Sequence, residues 1–81
     1  MYCTVACPFC QSAERLLAQK GATVEKIRVD LEPARRDEMM RRSGRRTVPQ
    51  IWIGGRHVGG CDDLYALERE GRLTPLLAAT S

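Results

Sequence analysis

The sequence lacks a long hydrophobic run, and this excludes a membrane-spanning helix. A bilayer requires about 20 consecutive apolar residues, and the longest apolar stretches of this 81-residue chain are far shorter. Nor is there a basic start followed by an apolar segment and a small-residue cleavage site, so no secretory signal is expected. We therefore expect one small, soluble, cytoplasmic domain over residues 1–81, without a membrane partner.

Aromatic residues are also scarce, with one Phe, one Trp and two Tyr. These are too few for an obvious base-stacking platform, although six of the eleven arginines lie between Arg35 and Arg46. Asp37 and Glu38 interrupt this run of arginines, and the net charge of the chain is only +3. A solvated helix face therefore explains the arginine run. We expect no nucleic-acid partner. The planar guanidinium fork also suits recognition of a small anion, such as a peptide carboxylate.

Histidine occurs only once, and the four cysteines supply a single Cys-x-x-Cys pair, Cys7 and Cys10. A structural zinc site requires four ligands, and only Cys3, Cys61 and His57 remain to complete one. A zinc module stays open as an alternative, with unfolding by a chelator as its test. A Cys-x-x-Cys near a βαβ pattern is a redox signal, so we favour a redox pair and expect no metal.

The apolar spacing and the turn residues predict the element order β-α-β-α-β-β-α-α. Helices are predicted over about 8–20, from Pro33 to Gly44, from Cys61 to just before Gly71 and, with Thr74 as cap and Pro75 as first residue, over the last segment. Strands are predicted just before Cys7, over about 23–29, and on both sides of the Gly54-Gly55 turn. Trp52 and Tyr65 are predicted to lie in the core.

This element order indicates an α/β fold. A strand–helix–strand start favours a parallel pair joined by a right-handed crossover, and the later hairpin extends the same sheet in antiparallel fashion. We expect a mixed four-stranded sheet with helices on both faces.

The Cys7–Cys10 pair is predicted to straddle the start of the first helix. Unpaired backbone N–H groups and the helix dipole favour a thiolate at Cys7. Cys10 lies one turn further, on the same face and closer to the core, and is expected to remain a thiol until needed. Cys7 is thus the predicted nucleophile and Cys10 the resolving cysteine, while Phe9 offers a substrate an apolar wall.

Three segments, YCTVACPFC, RRTVPQIWI and GGCDDLYAL, together resemble the glutaredoxin family, most closely the bacterial dithiol glutaredoxins. Their order and spacing agree over essentially the whole chain. The resemblance implies a thioredoxin fold, a cis peptide bond before Pro49 and glutathione as co-substrate. Two departures stand out: Thr4, Val5 and Ala6 replace a lysine common before the first cysteine, and Phe9 replaces the commonest tyrosine.

The resemblance also implies a set of glutathione-binding residues: Phe9, Thr47, Val48, Pro49, Gly60, Cys61, Asp62, Arg46 and Arg41. In this scheme the Val48 backbone pairs with the cysteinyl part of glutathione, and the amides at Cys61 and Asp62 receive the γ-glutamyl carboxylate. Simpler roles stay open: Asp62 as a helix cap, Cys61 as a packing residue, and Arg41 and Arg46 as surface charges. Cys3 and His57 are expected to be bystanders.

The implied activity is glutathione-dependent reduction of protein disulfides and of protein–glutathione mixed disulfides by a monomer. Two alternatives remain. One is an iron–sulfur carrier, a dimer holding a cluster with Cys7 and glutathione, although cluster-binding relatives usually have Gly or Ser where this chain has Pro8. The other is a redoxin that receives electrons from thioredoxin reductase.

Overall fold

The computed structural model describes residues 1–80, which form eight elements in the predicted order. The strands are β1 (Tyr2–Cys3), β2 (Ile27–Arg28), β3 (Ile51–Ile53) and β4 (Arg56–Gly59). The helices are α1 (Pro8–Gln19), α2 (Pro33–Ser43), α3 (Cys61–Arg69) and α4 (Leu73–Thr80). None of the helices in this part of the chain has the length and apolar character needed to cross a bilayer.

The sheet is mixed, as predicted, and consists of two strand pairs joined by a bridge. β1 and β2 are parallel, with Tyr2 opposite Ile27, while β3 and β4 are antiparallel, with Ile53 opposite Arg56. The bridge is an antiparallel pair in which the Tyr2 N–H donates to the Gln50 carbonyl at 2.9 Å and the Gln50 N–H donates back at 3.2 Å. The strand order is therefore β2-β1-β3-β4.

Helices cover both faces because successive β3 residues point in opposite directions. Ile51 and Ile53 pack with buried residues of α1, α3 and α4, namely Ala13, Leu16, Leu17, Cys61, Leu64 and Leu73. Trp52 points the other way, toward Tyr2 and Met39 of α2. The predicted α/β architecture is confirmed.

Three local predictions were wrong. β2 spans two residues rather than 23–29. α4 begins at Leu73 because the Leu76 N–H already bonds the Arg72 carbonyl, so Thr74 lies within the first turn instead of capping it. Tyr65 is exposed rather than in the core, with its hydroxyl donating to the Ser12 carbonyl at 3.3 Å.

The two adjacent methionines of α2 give a stability test of the α2 face. Met39 is completely buried, whereas Met40 is only partly buried. Because truncation of a buried methionine removes its contacts and leaves a cavity, Met39→Ala should lower the free energy of unfolding by about 2–5 kcal/mol. Met40→Ala should cost less than half as much in the same urea titration. Equal losses would show that α2 does not bury Met39 selectively.

Candidate functional site

The cysteine pair lies at the N-terminus of α1. Cys7 is the N-cap in extended conformation, and Pro8 is the first helical residue. The Cys7 sulfur accepts the backbone N–H of Cys10 at 3.3 Å. This sulfur therefore takes one of the N–H groups that every helix start leaves unpaired. The structure places both cysteines where the sequence predicted them.

Cys10 is held as a thiol. Burial, followed by the hydrogen bond with Cys7, raises the pKa of the Cys10 thiol to about 12. Its residue is 4% exposed against 9% for Cys7. Both are free thiols in this structure, so Cys7 is the one more open to a disulfide substrate.

The loop before β3 approaches the cysteine pair from the other side. The Val48–Pro49 peptide bond is cis, as the resemblance implied. The Cys7 sulfur lies 3.8 Å from the Val48 carbonyl oxygen, within reach of a weak S–H donation. The same loop thus supplies a backbone polar group directly beside the reactive sulfur.

A pocket of about 300 Å³ opens beside this loop. It is lined by Phe9, Arg45, Thr47, Val48, Pro49, Gly60, Cys61, Asp62 and Asp63. The pocket therefore brings together every glutathione-binding residue expected from the sequence except Arg41 and Arg46, which are exposed and do not line it. Arg45 is the pocket's arginine instead. Cys7 and Cys10 do not line the pocket either, and Cys7 adjoins it through the Val48 carbonyl. A larger cavity of about 730 Å³ lies toward the C-terminal end of α1, and no residue of the loop 47–49 beside Cys7 lines it.

Comparison with known proteins agrees with this geometry. The sequence profile of the glutaredoxin family matches residues 1–58. The chain belongs to the glutaredoxin family. It is 53% identical over 79 residues to a glutaredoxin of Pseudomonas aeruginosa, covering 98% of this chain and 94% of the relative. It is 51% identical over 77 residues to glutaredoxin 3 of Escherichia coli, covering 95% of this chain and 93% of the relative.

Solved glutaredoxin structures show the same fold. The buckwheat glutaredoxin–glutathione complex superposes with a TM-score of 0.92 at 34% identity, covering 98% of this chain and 74% of that one. The solution structure of the Brucella melitensis glutaredoxin superposes with a TM-score of 0.83 at 56% identity, covering 94% of this chain and 83% of that one. This glutaredoxin therefore has the thioredoxin fold and is a thiol–disulfide oxidoreductase.

An ion pair of this glutaredoxin closes one side of the pocket and was not expected from the sequence. The Arg45 guanidinium donates to Asp63 Oδ2 at 2.8 Å, and the Gly60 N–H donates to the same oxygen at 2.9 Å. Asp63 is the third residue of α3 after the cap Gly60, the position from which an acidic side chain reaches back in a capping box. That spacing was the available signal for Asp63, whereas nothing in the sequence distinguished Arg45 from Arg46.

The Asp63 contacts predict a pH-dependent contribution to stability. The Arg45 hydrogen bond, then the Gly60 N–H, lowers the pKa of Asp63 below its ordinary 3.8. A lowered folded-state pKa stabilises the fold above the ordinary value, and this stabilisation is lost as pH falls through the folded-state pKa. Asp63→Asn should therefore unfold more readily than the parent at pH 7, and urea titrations should show this difference shrinking as the pH falls below 3.8.

The neighbouring Asp62 supplies the control for this titration. Asp62 is exposed, and its side chain makes none of the hydrogen bonds or ion pairs found in the described residues. Asp62→Asn should therefore change the pH 7 stability less than Asp63→Asn does. A deficit of Asp63→Asn that is independent of pH would contradict the role of the Asp63 charge.

The two other cysteines are buried thiols. Burial is the main cause that raises the pKa of Cys61 and of Cys3 above the ordinary value. Cys61 packs in the core with residues of α1 while also lining the pocket, and Cys3 lies in β1. Within residues 1–80, no three His, Cys, Asp or Glu side chains are grouped so as to hold a metal ion.

Proposed function

We propose that this glutaredoxin is a dithiol enzyme that uses glutathione to reduce protein disulfides and protein–glutathione mixed disulfides. The observation that carries the proposal is the Cys7 sulfur, which caps α1 and lies 3.8 Å from the Val48 carbonyl at the edge of the pocket. The complex of the buckwheat glutaredoxin with glutathione supports the choice of ligand. Four free thiols suit the reducing cytoplasm.

The pocket offers complementary groups for each part of glutathione. The backbone of Val48 pairs with the cysteinyl residue as an added strand would. The N-terminal amides of α3, at Cys61 and Asp62, receive the γ-glutamyl carboxylate. Arg45 lines the pocket and replaces Arg41 and Arg46 as our assignment for the glycyl carboxylate. Phe9 supplies an exposed apolar wall beside the sulfur.

Reduction of a protein disulfide then proceeds in two exchanges. The Cys7 thiolate attacks one substrate sulfur, the substrate S–S bond breaks, and the leaving thiolate takes up a proton. Cys10 gives up its proton as it attacks the Cys7 sulfur, which releases the second substrate thiol and leaves a Cys7–Cys10 disulfide. Two glutathione molecules return the two electrons and leave as glutathione disulfide.

A protein–glutathione mixed disulfide requires only Cys7. Its thiolate attacks the glutathione sulfur, the protein thiol leaves, and a second glutathione releases glutathione disulfide and restores the thiolate. Because the glutathionyl group occupies the pocket in this route, Cys10 has no obligatory part in it.

The decisive experiment compares electron donors. Turnover of a glutathionylated peptide is measured with glutathione plus glutathione reductase, and separately with thioredoxin reductase. We expect at least about tenfold faster turnover with glutathione, since the pocket complements its two carboxylates. Faster turnover with thioredoxin reductase would overturn glutathione dependence and move this chain to the redoxins served by that enzyme.

A further inference from the structure

Gln50 connects the pocket loop to the hairpin through a buried amide. Among the residues whose side chains are described, it is the one polar residue that is fully buried. Its Nε2 donates to the Thr47 carbonyl at 3.0 Å and to Thr47 Oγ1 at 3.2 Å. Its Oε1 lies 2.9 Å from His57 Nε2. Buried polar groups that are fully hydrogen-bonded fix local geometry, so this side chain links two segments that are apart in sequence.

The hydrogen-bonding capacities determine the proton on His57. A carbonyl oxygen accepts only, so the Gln50 nitrogen must face Thr47 and its oxygen must face His57. His57 therefore donates from Nε2, and its neutral form is the Nε2–H tautomer. Burial, followed by the charge of Arg45, lowers the pKa of His57, which favours this neutral form at pH 7.

The His57 ring is itself held by an aromatic neighbour. It lies against Trp52, with ring centroids 4.5 Å apart, and Trp52 meets the Tyr2 ring edge-on at 5.3 Å. The Arg42 guanidinium lies over the Trp52 ring at 4.6 Å. A donor anchored in this way has little freedom to follow Gln50 if the pocket loop moves.

The residue that Gln50 holds lies in the pocket. Thr47 lines it, and the next residue, Val48, places its carbonyl 3.8 Å from the Cys7 sulfur. We propose that Gln50 and His57 act as a pair of positioning residues that fix the Thr47–Val48 backbone for recognition of the glutathionyl group. This inference rests on the proposed function for the identity of the ligand, and on the observed contacts for the pairing.

The kinetic test uses Gln50→Met and His57→Phe, singly and together. Methionine keeps the length of Gln50 without its amide, and phenylalanine keeps a ring against Trp52 without the N–H. Loss of a buried hydrogen bond predicts about a tenfold higher KM for a glutathionylated peptide in Gln50→Met, with kcat changed by less than about twofold. His57→Phe should raise this KM by a smaller factor, and the KM of the double variant should be no higher than that of Gln50→Met alone.

A conservative variant and a pocket-independent reaction serve as controls. His57→Gln retains an N–H donor of similar reach and should recover most of the parent KM. Alkylation of Cys7 by iodoacetamide does not use the pocket, so its rate should change less than the KM does in each variant. Additive losses in the double variant, or an unchanged KM in Gln50→Met, would overturn the pairing.

Nuclear magnetic resonance tests the pairing without reference to glutathione. We expect the ¹⁵N shifts of His57 to report the Nε2–H tautomer in the parent. The amide signals of Thr47 and Val48 should shift in both Gln50→Met and His57→Phe. An Nδ1–H tautomer, or unmoved loop amides, would contradict the inference even if glutathione turnover is normal. Absence of glutathione turnover in the parent would instead contradict the proposed function and leave this test standing.

Discussion

Cys7→Ser is expected to abolish reduction of both substrate types, while Cys10→Ser is expected to keep activity on glutathionylated peptides. Only Cys7 caps α1 and is held beside the Val48 carbonyl. A serine hydroxyl is a far weaker nucleophile than a thiolate at neutral pH, so the loss in Cys7→Ser should be roughly a thousandfold or more. Cys10→Ser removes only the resolving step, and deglutathionylation should keep a substantial part of the parent rate.

The substrates separate the two roles. Turnover of a glutathionylated peptide and of a protein disulfide is measured for Cys7→Ser, Cys10→Ser and the parent. Cys10→Ser should lose most activity on the protein disulfide, because the mixed disulfide with the substrate is then no longer opened by Cys10. Cys3→Ala is the control, since Cys3 is a buried thiol of β1 that packs beside Cys7 and Cys10 but does not cap α1. Equal loss in Cys7→Ser and Cys10→Ser on the glutathionylated peptide would rule out the single-cysteine route.

The cysteine chemistry was predictable from the sequence because it depends on local features. Pro8 and the spacing of Cys7 and Cys10 already define a helix start, and the structure shows that start with the expected hydrogen bond on the Cys7 sulfur. The Gly-Gly-Cys-Asp-Asp segment likewise predicts a helix N-terminus at Cys61. Features set by one turn of backbone follow from residue order alone.

The cation and the buried amide were not predictable, because they depend on which way a loop turns. Arg45 and Arg46 are adjacent in an irregular segment, so no periodicity assigns one of them to the pocket; the Asp63 contact on α3 does so. From the sequence alone, Gln50 is an ordinary polar residue at the start of a predicted strand. Its burial follows only once Tyr2 and Gln50 pair across the sheet and His57 returns on β4.

Gly59→Ala should be the most damaging glycine substitution near the pocket. Gly59 has φ +118°, a conformation that residues with a Cβ rarely adopt, and an added Cβ would overlap the Asp63 carboxylate. Asp63 would then have to leave the Gly60 N–H and Arg45, which disrupts the start of α3 along with one wall of the pocket. The strain and the lost contacts together predict a decrease of about 2–4 kcal/mol in the free energy of unfolding.

Gly71→Ala separates the overlap from the backbone conformation. Gly71 also has a positive φ, +70°, but an added Cβ would meet nothing within 4 Å. Its substitution should therefore cost only the left-handed conformation itself, about 1–2 kcal/mol. Urea titrations give both free energies, and the KM for a glutathionylated peptide should rise in Gly59→Ala alone. Equal losses of stability in the two variants would show that the Asp63 carboxylate can move away from the added Cβ without destabilising the fold. An unchanged KM in Gly59→Ala would show that the Arg45–Asp63 wall of the pocket is not needed for binding.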